Sequence, residues 1–418
     1  MLPMASTPTV EEITAEVEAF VDANWDPDMA VRDWWQRLAK AGLTKPTLPV
    51  EAGGRAWPAP AAAAAGATLT RRRVLGPPGG LGMLLAAPTI ASHGSPEQWQ
   101  RLLPPLLDGT ESWCQLFSEP GAGSDLAGLQ CRAERDGDQW VITGQKVWTS
   151  NGHEADWGML VARTDPDAPK HRGITYFAFP MRQAGVEVRP LVEMTGRAMF
   201  NEVFIDGARV SNDDVIGGLG EGWRVANTTL AFERAGIGGT GTGFGTASPG
   251  VLAGHLDRPV REFLGRRGET SAGGVGRRVL GLLGDEMRAR GLSDDPTIRQ
   301  DLARLHGLQR IMTYSAWRAK GTRSSPGVEG SLNKLLNTEM IQLARSLAGR
   351  ILGPDVQIVG DGSAIGGVLQ ELILFSPAPS IYGGTDEIQR NVIGERGLGL
   401  PREPGPPSDT PFRELPKN

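Results

Sequence analysis

Cysteine is almost missing: Cys114 and Cys131 are the only two in 418 residues, too few for a disulfide framework and suited to a reducing compartment. Histidine is also sparse. His93, His153, His171, His255 and His306 are scattered, and no C-x-x-C is present, which disfavours a structural or catalytic metal. A basic excess is lacking too. The net charge of −5 and a pI near 5.7 provide no basic field to gather nucleic acid or anionic lipid. No apolar run approaches the roughly 18 residues of a membrane-spanning helix, and the N-terminus shows neither the charged nor the apolar region of a secretion signal. These absences predict a soluble, cytoplasmic protein.

What is abundant is glycine, with 57 residues, and proline, with 31, against only 3 tyrosines. At this length the chain can hold two or three packed domains. Thr9 and Glu12 form a candidate capping box before a helical run of Val10, Ile13, Val17, Phe20 and Val21. A second helix is expected over Asp33 to Ala41, an Ala-rich one after a loop near residues 51–66, and another opening at Ser95-Pro96. From Trp113 the pattern turns to short β-prone runs: Trp140 to Gly144 and Val147 to Thr149 around a turn, then 158–162, 174–179, 186–188 and 202–205. Helical periodicity returns after Gly222. The glycine-rich stretch from Gly236 to Gly250 would need tertiary support, since each interior Gly costs a helix about 1 kcal/mol. The order predicts an α+β multidomain chain: a helical domain over 1–112, an antiparallel β-barrel or sandwich over 113–220, helices over 221–400, and a disordered Pro-rich tail over 401–418. No βαβ alternation supports a Rossmann site.

Three loops carry candidate chemistry. In Ser118-Glu119-Pro120-Gly121-Ala122-Gly123-Ser124-Asp125, small residues let backbone N–H groups approach a phosphate or a flavin edge, and Ser124 adds a hydroxyl. In Gly144-Gln145-Lys146-Val147-Trp148-Thr149-Ser150-Asn151-Gly152, Trp148 offers a flat face beside two hydroxyls. In Ser380-Ile381-Tyr382-Gly383-Gly384-Thr385-Asp386-Glu387, the Gly pair makes a turn able to receive an oxyanion, and Thr385 can cap a helix. Singly, each is as consistent with an ordinary turn, hairpin or helix start.

Together, and in this order, the three loops resemble the acyl-CoA dehydrogenase family from about residue 80 to 400. The resemblance implies a C-terminal four-helix bundle, FAD as cofactor, an acyl thioester on CoA or a carrier protein as substrate, an electron-transfer flavoprotein as reoxidant, and a tetramer. It implies flavin contacts from Phe117, Ser118, Gly123, Ser124, Trp148, Ser150, Tyr382, Thr385 and Glu387. Ser124 would also meet the thioester, with Arg234 a further substrate contact. Gln357, in Asp355-Val356-Gln357-Ile358, matches a residue given to the adenine half of a neighbour's FAD.

Two departures stand out. Where many family members carry the catalytic Glu, this chain has Gly383, which cannot be a base but can offer its N–H to an enolate oxygen. In enzymes resembling isovaleryl-CoA dehydrogenase the Glu lies instead on the first long helix of the bundle. Glu233, eleven residues after Gly222 and followed by Arg234, takes that place, with Asp386 and Glu387 as fallbacks. The family's Arg-x-x-Phe-Gly signature, whose Arg reaches a neighbour's FAD, is altered in Arg261-Glu262-Phe263-Leu264-Gly265, and Pro259 interrupts the run. These departures resemble a bacterial subgroup that forms two-component assemblies, so a homo- or hetero-oligomer is expected. A flavin oxidase on the same fold, or a non-catalytic partner subunit, are the competing functions.

Overall fold

The computed structural model describes residues 8–236, 247–265, 276–321, 328–358 and 360–416. The N-terminal domain opens with α1 (Val10–Asn24), whose capping box is formed: the Glu12 N–H donates to Thr9 Oγ1 at 3.2 Å and the Thr9 N–H to Glu12 Oε2 at 2.7 Å. It continues through α2 (Val31–Lys40), α3 (Ala59–Arg71), α4 (Ala87–His93), which a π-helical turn over Gly82–Ala86 leads into, and α5 (Pro96–Leu107), capped by Ser95. The apolar faces of α1, α2 and α3 close around Trp34 and Trp35, whose indole N–H groups donate to the carbonyls of Leu75 and Gly76.

The sheet of the middle domain comprises β1 (Trp113–Leu116), β2 (Arg132–Asp136), β3 (Gln139–Ser150), β4 (Trp157–Arg163), β5 (Ile174–Pro180), β6 (Val186–Leu191), β7 (Phe200–Ser211) and β8 (Val215–Ile216). Strand order is β6-β7-β3-β2-β4-β5-β8, with β1 added beside β4. Neighbours are antiparallel except that β1 and β2 run parallel to β4. The two runs expected around a turn near Gly144 are one strand. It carries two irregularities against β7, register shifts between Ile142 and Thr143 and between Lys146 and Thr149.

The last domain holds α6 (Gly222–Gly236), α7 (Gly276–Ala289), α8 (Pro296–Gly321), α9 (Glu329–Leu352), α10 (Val368–Phe375) and α11 (Asp386–Val392). The α9 helix is its spine, packing on α6, α7, α8, α10 and α11. The candidate glycine-rich helix falls largely on 237–246, outside the described residues.

The tail departs from expectation. Arg413 pairs with Asp167, and the N–H groups of Phe412 and Arg413 donate to the carbonyls of Ala168 and Pro166, both at 3.1 Å. Phe412 lies half-buried against Arg163. A Pro-rich composition reads as disorder, yet a few anchored residues suffice to order such a segment. Among the described residues no helix is long and apolar enough to cross a membrane.

Candidate active site

Position in the site begins with Gly222. A Cβ there would lie 2.5 to 2.7 Å from the backbone of Thr175 and Tyr176, so only glycine lets the start of α6 sit against β5. One face of the helix then runs along the domain junction. Val225, Ala226 and Thr229 are buried, and Thr229 Oγ1 lies 3.0 Å from Thr89 Oγ1 and 3.3 Å from the Tyr176 hydroxyl. Glu233 is one turn further along that face, four residues on from Thr229. It is half-buried, and Gln115 Nε2 on β1 donates to its Oε2 at 3.3 Å. Burial pushes the Glu233 carboxyl above the usual carboxylate range; the Gln115 hydrogen bond and the neighbouring Arg234 charge oppose this without cancelling it. Arg234, itself half-buried, has its pKa lowered by burial, in part offset by the Glu233 charge. The carboxylate therefore sits beside the strand that leads directly into Phe117 and Ser118.

Those two residues are held by β3. The Phe117 carbonyl accepts from Lys146 Nζ at 3.1 Å, and the Ser118 carbonyl from the Val147 N–H at 2.9 Å. Lys146 is fully buried and also pairs with Glu119 at 2.8 Å. Glu119 accepts the N–H groups of Gln130 at 2.6 Å and Cys131 at 2.9 Å, so its carboxylate ties both ends of the glycine-rich loop to the domain interior. Gly123 and Ser124 stand exposed at its tip, and a Cβ on Gly123 would meet nothing within 4 Å. Sequence reasoning had missed Lys146 and Gln115. A lysine on an otherwise alternating strand, three residues after Thr143, was the available signal for the first; nothing marked the second.

The register shift in β3 turns Trp148 outward. Its backbone is left-handed, with φ of 60°, and its side chain is 62 % exposed, touching Phe200 edge-on at a 6.0 Å ring separation. A large indole held in solvent by a strained backbone is prepared for a flat partner. Thr149 is buried with Oγ1 unpartnered, and Asn201, which donates to the Thr149 carbonyl at 3.0 Å, also leaves Oδ1 unpartnered. Ser150 follows, half-buried. An exposed aromatic face beside orphaned polar atoms fits the isoalloxazine of FAD, which has both a ring surface and hydrogen-bonding heteroatoms.

The third loop is organised from α9. Lys334 Nζ, 5 % exposed in its side chain, donates to Asp386 Oδ1 at 2.6 Å, and Thr338 Oγ1 donates to the same oxygen at 3.1 Å. Thr385 caps α11 by accepting from the Ile388 N–H. Gly383 and Gly384 have φ of 64° and 80°, and the Gly383 carbonyl accepts from the buried Gln389 amide at 2.8 Å. Asp386 is thus committed to the turn, and Glu387 is exposed beside Arg390. Tyr382 is exposed, its ring 6.2 Å from Phe375.

Gln357 is not brought to this place. It is exposed beyond the far end of α9, and the 14 residues from Thr338 to Leu352 span about 21 Å of helix. The altered arginine segment is also accounted for. Arg261 pairs with Asp28 of the same chain, while Leu256, Val260 and Phe263 complete the N-terminal core. A separate cavity of about 410 Å³, lined by His93, Gln98 and Arg224 among others, lies at the opposite end of α6, and Glu233 is not part of its wall.

Two helical domains flanking a sheet, with a sheltered carboxylate where α6 meets β1, define a three-domain helix–sheet–helix protein. Residues 7–110, 114–207 and 267–398 match the acyl-CoA dehydrogenase N-terminal, middle and C-terminal domains. A curated relative, acyl-CoA dehydrogenase IpdE1 of Mycobacterium tuberculosis, is 40 % identical over 373 residues, covering 89 % of this chain and 88 % of its own. Among solved structures, the Tcur3481-Tcur3483 steroid ACAD is 26 % identical with a TM-score of 0.70, covering 94 % of this chain and 98 % of that one. The ChsE4-ChsE5 complex of Mycobacterium tuberculosis is 25 % identical with a TM-score of 0.68, covering 96 % and 100 %. The chain belongs to the acyl-CoA dehydrogenase family, and it is an FAD-dependent enzyme of acyl dehydrogenation.

Proposed function

We propose that Glu233 is the base that removes the α-proton of an acyl-CoA thioester. The observation that carries this reading is its carboxylate, sheltered at the junction of α6 with β1 and held by Gln115, two residues before Phe117. A thioester α-proton is weakly acidic, and a carboxylate with a raised pKa narrows the gap to it. The Gly383 N–H, presented by the left-handed turn, would receive the enolate oxygen as charge develops there. Bound FAD would accept the β-hydride. Trp148, Ser150, Phe117 and Ser118 would hold its ring from the β side, Tyr382, Thr385 and Glu387 from the helical side, and Gly123 and Ser124 would face its phosphates or the thioester.

Glu233→Gln tests the reading. Removal of a general base lowers turnover about 10² to 10⁴-fold, while the flavin spectrum of the purified protein should be retained. Full activity in the variant would refute the assignment.

A ring-bearing acyl group on CoA is the substrate proposed, supported by the likeness to the Tcur3481-Tcur3483 steroid ACAD. Gln357, exposed and remote from its own chain's Thr385 turn, would serve a neighbouring subunit's FAD in a tetramer. Because Arg261 is folded onto Asp28, the contact that this arginine makes in relatives would come from a second kind of chain. An electron-transfer flavoprotein would reoxidise the enzyme, in the cytoplasm.

A further inference from the structure

The 164–173 connection between β4 and β5 grips the glycine-rich loop at two points. Lys170 Nζ donates to Asp125 Oδ1 at 2.7 Å. Arg163, at the root of the connection and 4 % exposed, donates from Nη2 to the Ala127 carbonyl at 2.7 Å, from Nε to the Leu129 carbonyl at 3.3 Å, and from Nη1 to the Lys170 carbonyl at 3.1 Å. Its three nitrogens are therefore spent on the backbone that ends the loop and on the backbone of the connection itself. The charge of Arg163 has no carboxylate bonded to it among these contacts, and burial pushes its pKa down to about 10, which leaves it charged at neutral pH.

What covers that guanidinium is the chain's own C-terminus. Its central carbon lies 3.3 Å from the ring centroid of Phe412. Pro411 bridges Pro169, the Phe412 N–H reaches the Ala168 carbonyl, the Arg413 N–H reaches the Pro166 carbonyl, and Arg413 pairs with Asp167. These contacts of Pro411, Phe412 and Arg413 thus fall on the connection that grips the loop and on Arg163 at its root. The match to the family's C-terminal domain ends at residue 398, before this segment begins.

We infer that the C-terminal segment Pro411–Leu415 is a strap that positions the 119–129 loop, with Phe412 acting on it through Arg163. Phe412 is a positioning residue: it touches no reacting atom, and its ring excludes water from a cation whose hydrogen bonds hold the loop's end. The inference rests on the reading that this loop faces the thioester or the flavin phosphates.

The test compares the parent chain with Phe412→Ala and Phe412→Tyr. Amide hydrogen exchange is followed in the peptide covering 119–131, where the Gly128, Leu129, Gln130 and Cys131 N–H groups are hydrogen-bonded, and in strands β4 and β5 as an internal reference. With Phe412→Ala, exchange in 119–131 should accelerate about tenfold with the reference strands unchanged, and KM for the thioester should rise severalfold with kcat within about twofold. Phe412→Tyr, which keeps the ring face, should restore both. Unchanged exchange in 119–131, equal acceleration through β4 and β5, or failure of Tyr to restore would overturn the inference. Faster exchange in a chain that shows no dehydrogenation in any form would leave the strap standing and sink the proposed chemistry instead.

Discussion

The two loops proposed to wall the site are built to different standards of closure. On the β side, Glu119 and Lys146 form an ion pair in which both side chains are almost wholly out of water, and every hydrogen bond from it ends on backbone of the same domain. On the helical side, Lys334 and Asp386 hold the Gly383–Thr385 turn from beneath, while Ile381 is 64 % and Tyr382 36 % exposed above it. One wall is finished within the chain. The other has a buried ion pair as its floor and an open face above it.

The sharpest way to break this contrast is to remove a charge from each floor. Lys146→Met leaves the Glu119 carboxylate buried and without its cation, and loss of one partner of a buried pair costs about 3 to 5 kcal/mol. Chemical denaturation should show that loss in the β-domain transition, with the glycine-rich loop becoming protease-sensitive. Asp386→Asn should cost less, about 1.5 to 3 kcal/mol, because Asn keeps an acceptor for Thr338 and the site is nearer solvent. If the second variant proved the more damaging, the ranking of the two walls would be reversed.

Much of this was legible in the sequence, and the misses have physical causes. Caps at Thr9, Ser95 and Thr385 are local, three-residue events, and all three are formed. Glu233 was singled out by the resemblance of the Gly222–Arg234 segment to the family's bundle entry, and both residues lie on α6 as that segment implied. The unreadable features depend on contacts distant in sequence. Gln115 meets Glu233 across 118 residues, Lys146 meets Glu119 across 27, and the tail meets β4 across about 250. The register shift beside Trp148 lies in its strand's pairing with β7, more than 50 residues on, which no local pattern records.

Trp148→Ala probes the finished wall where it faces outward. A side chain 62 % exposed contributes little to folding, and stability should stay within about 0.5 kcal/mol. Flavin affinity should nevertheless fall about three- to tenfold, since an aromatic stacking contact is worth roughly 0.5 to 1.5 kcal/mol. Equilibrium dialysis with FAD measures this directly. A variant that loses stability but keeps its flavin would mean the indole is structural.

The smallest expected effect lies where β1 meets α6, in Gln115→Leu. The Gln115 amide donates to the Glu233 carboxylate and so favours its ionised form, while burial favours the neutral one. Only the ionised form can accept a proton, so kcat/KM must rise with pH through the Glu233 pKa, which lies above the ordinary carboxylate value. Deleting the donor removes a stabiliser of the anion, and the acid limb of the profile should move to higher pH. At pH values above that limb the variant and the parent should converge, because both carboxylates are then ionised. A limb that moved to lower pH, or stayed put while the plateau fell, would mean that Gln115 positions the substrate and leaves the base untouched.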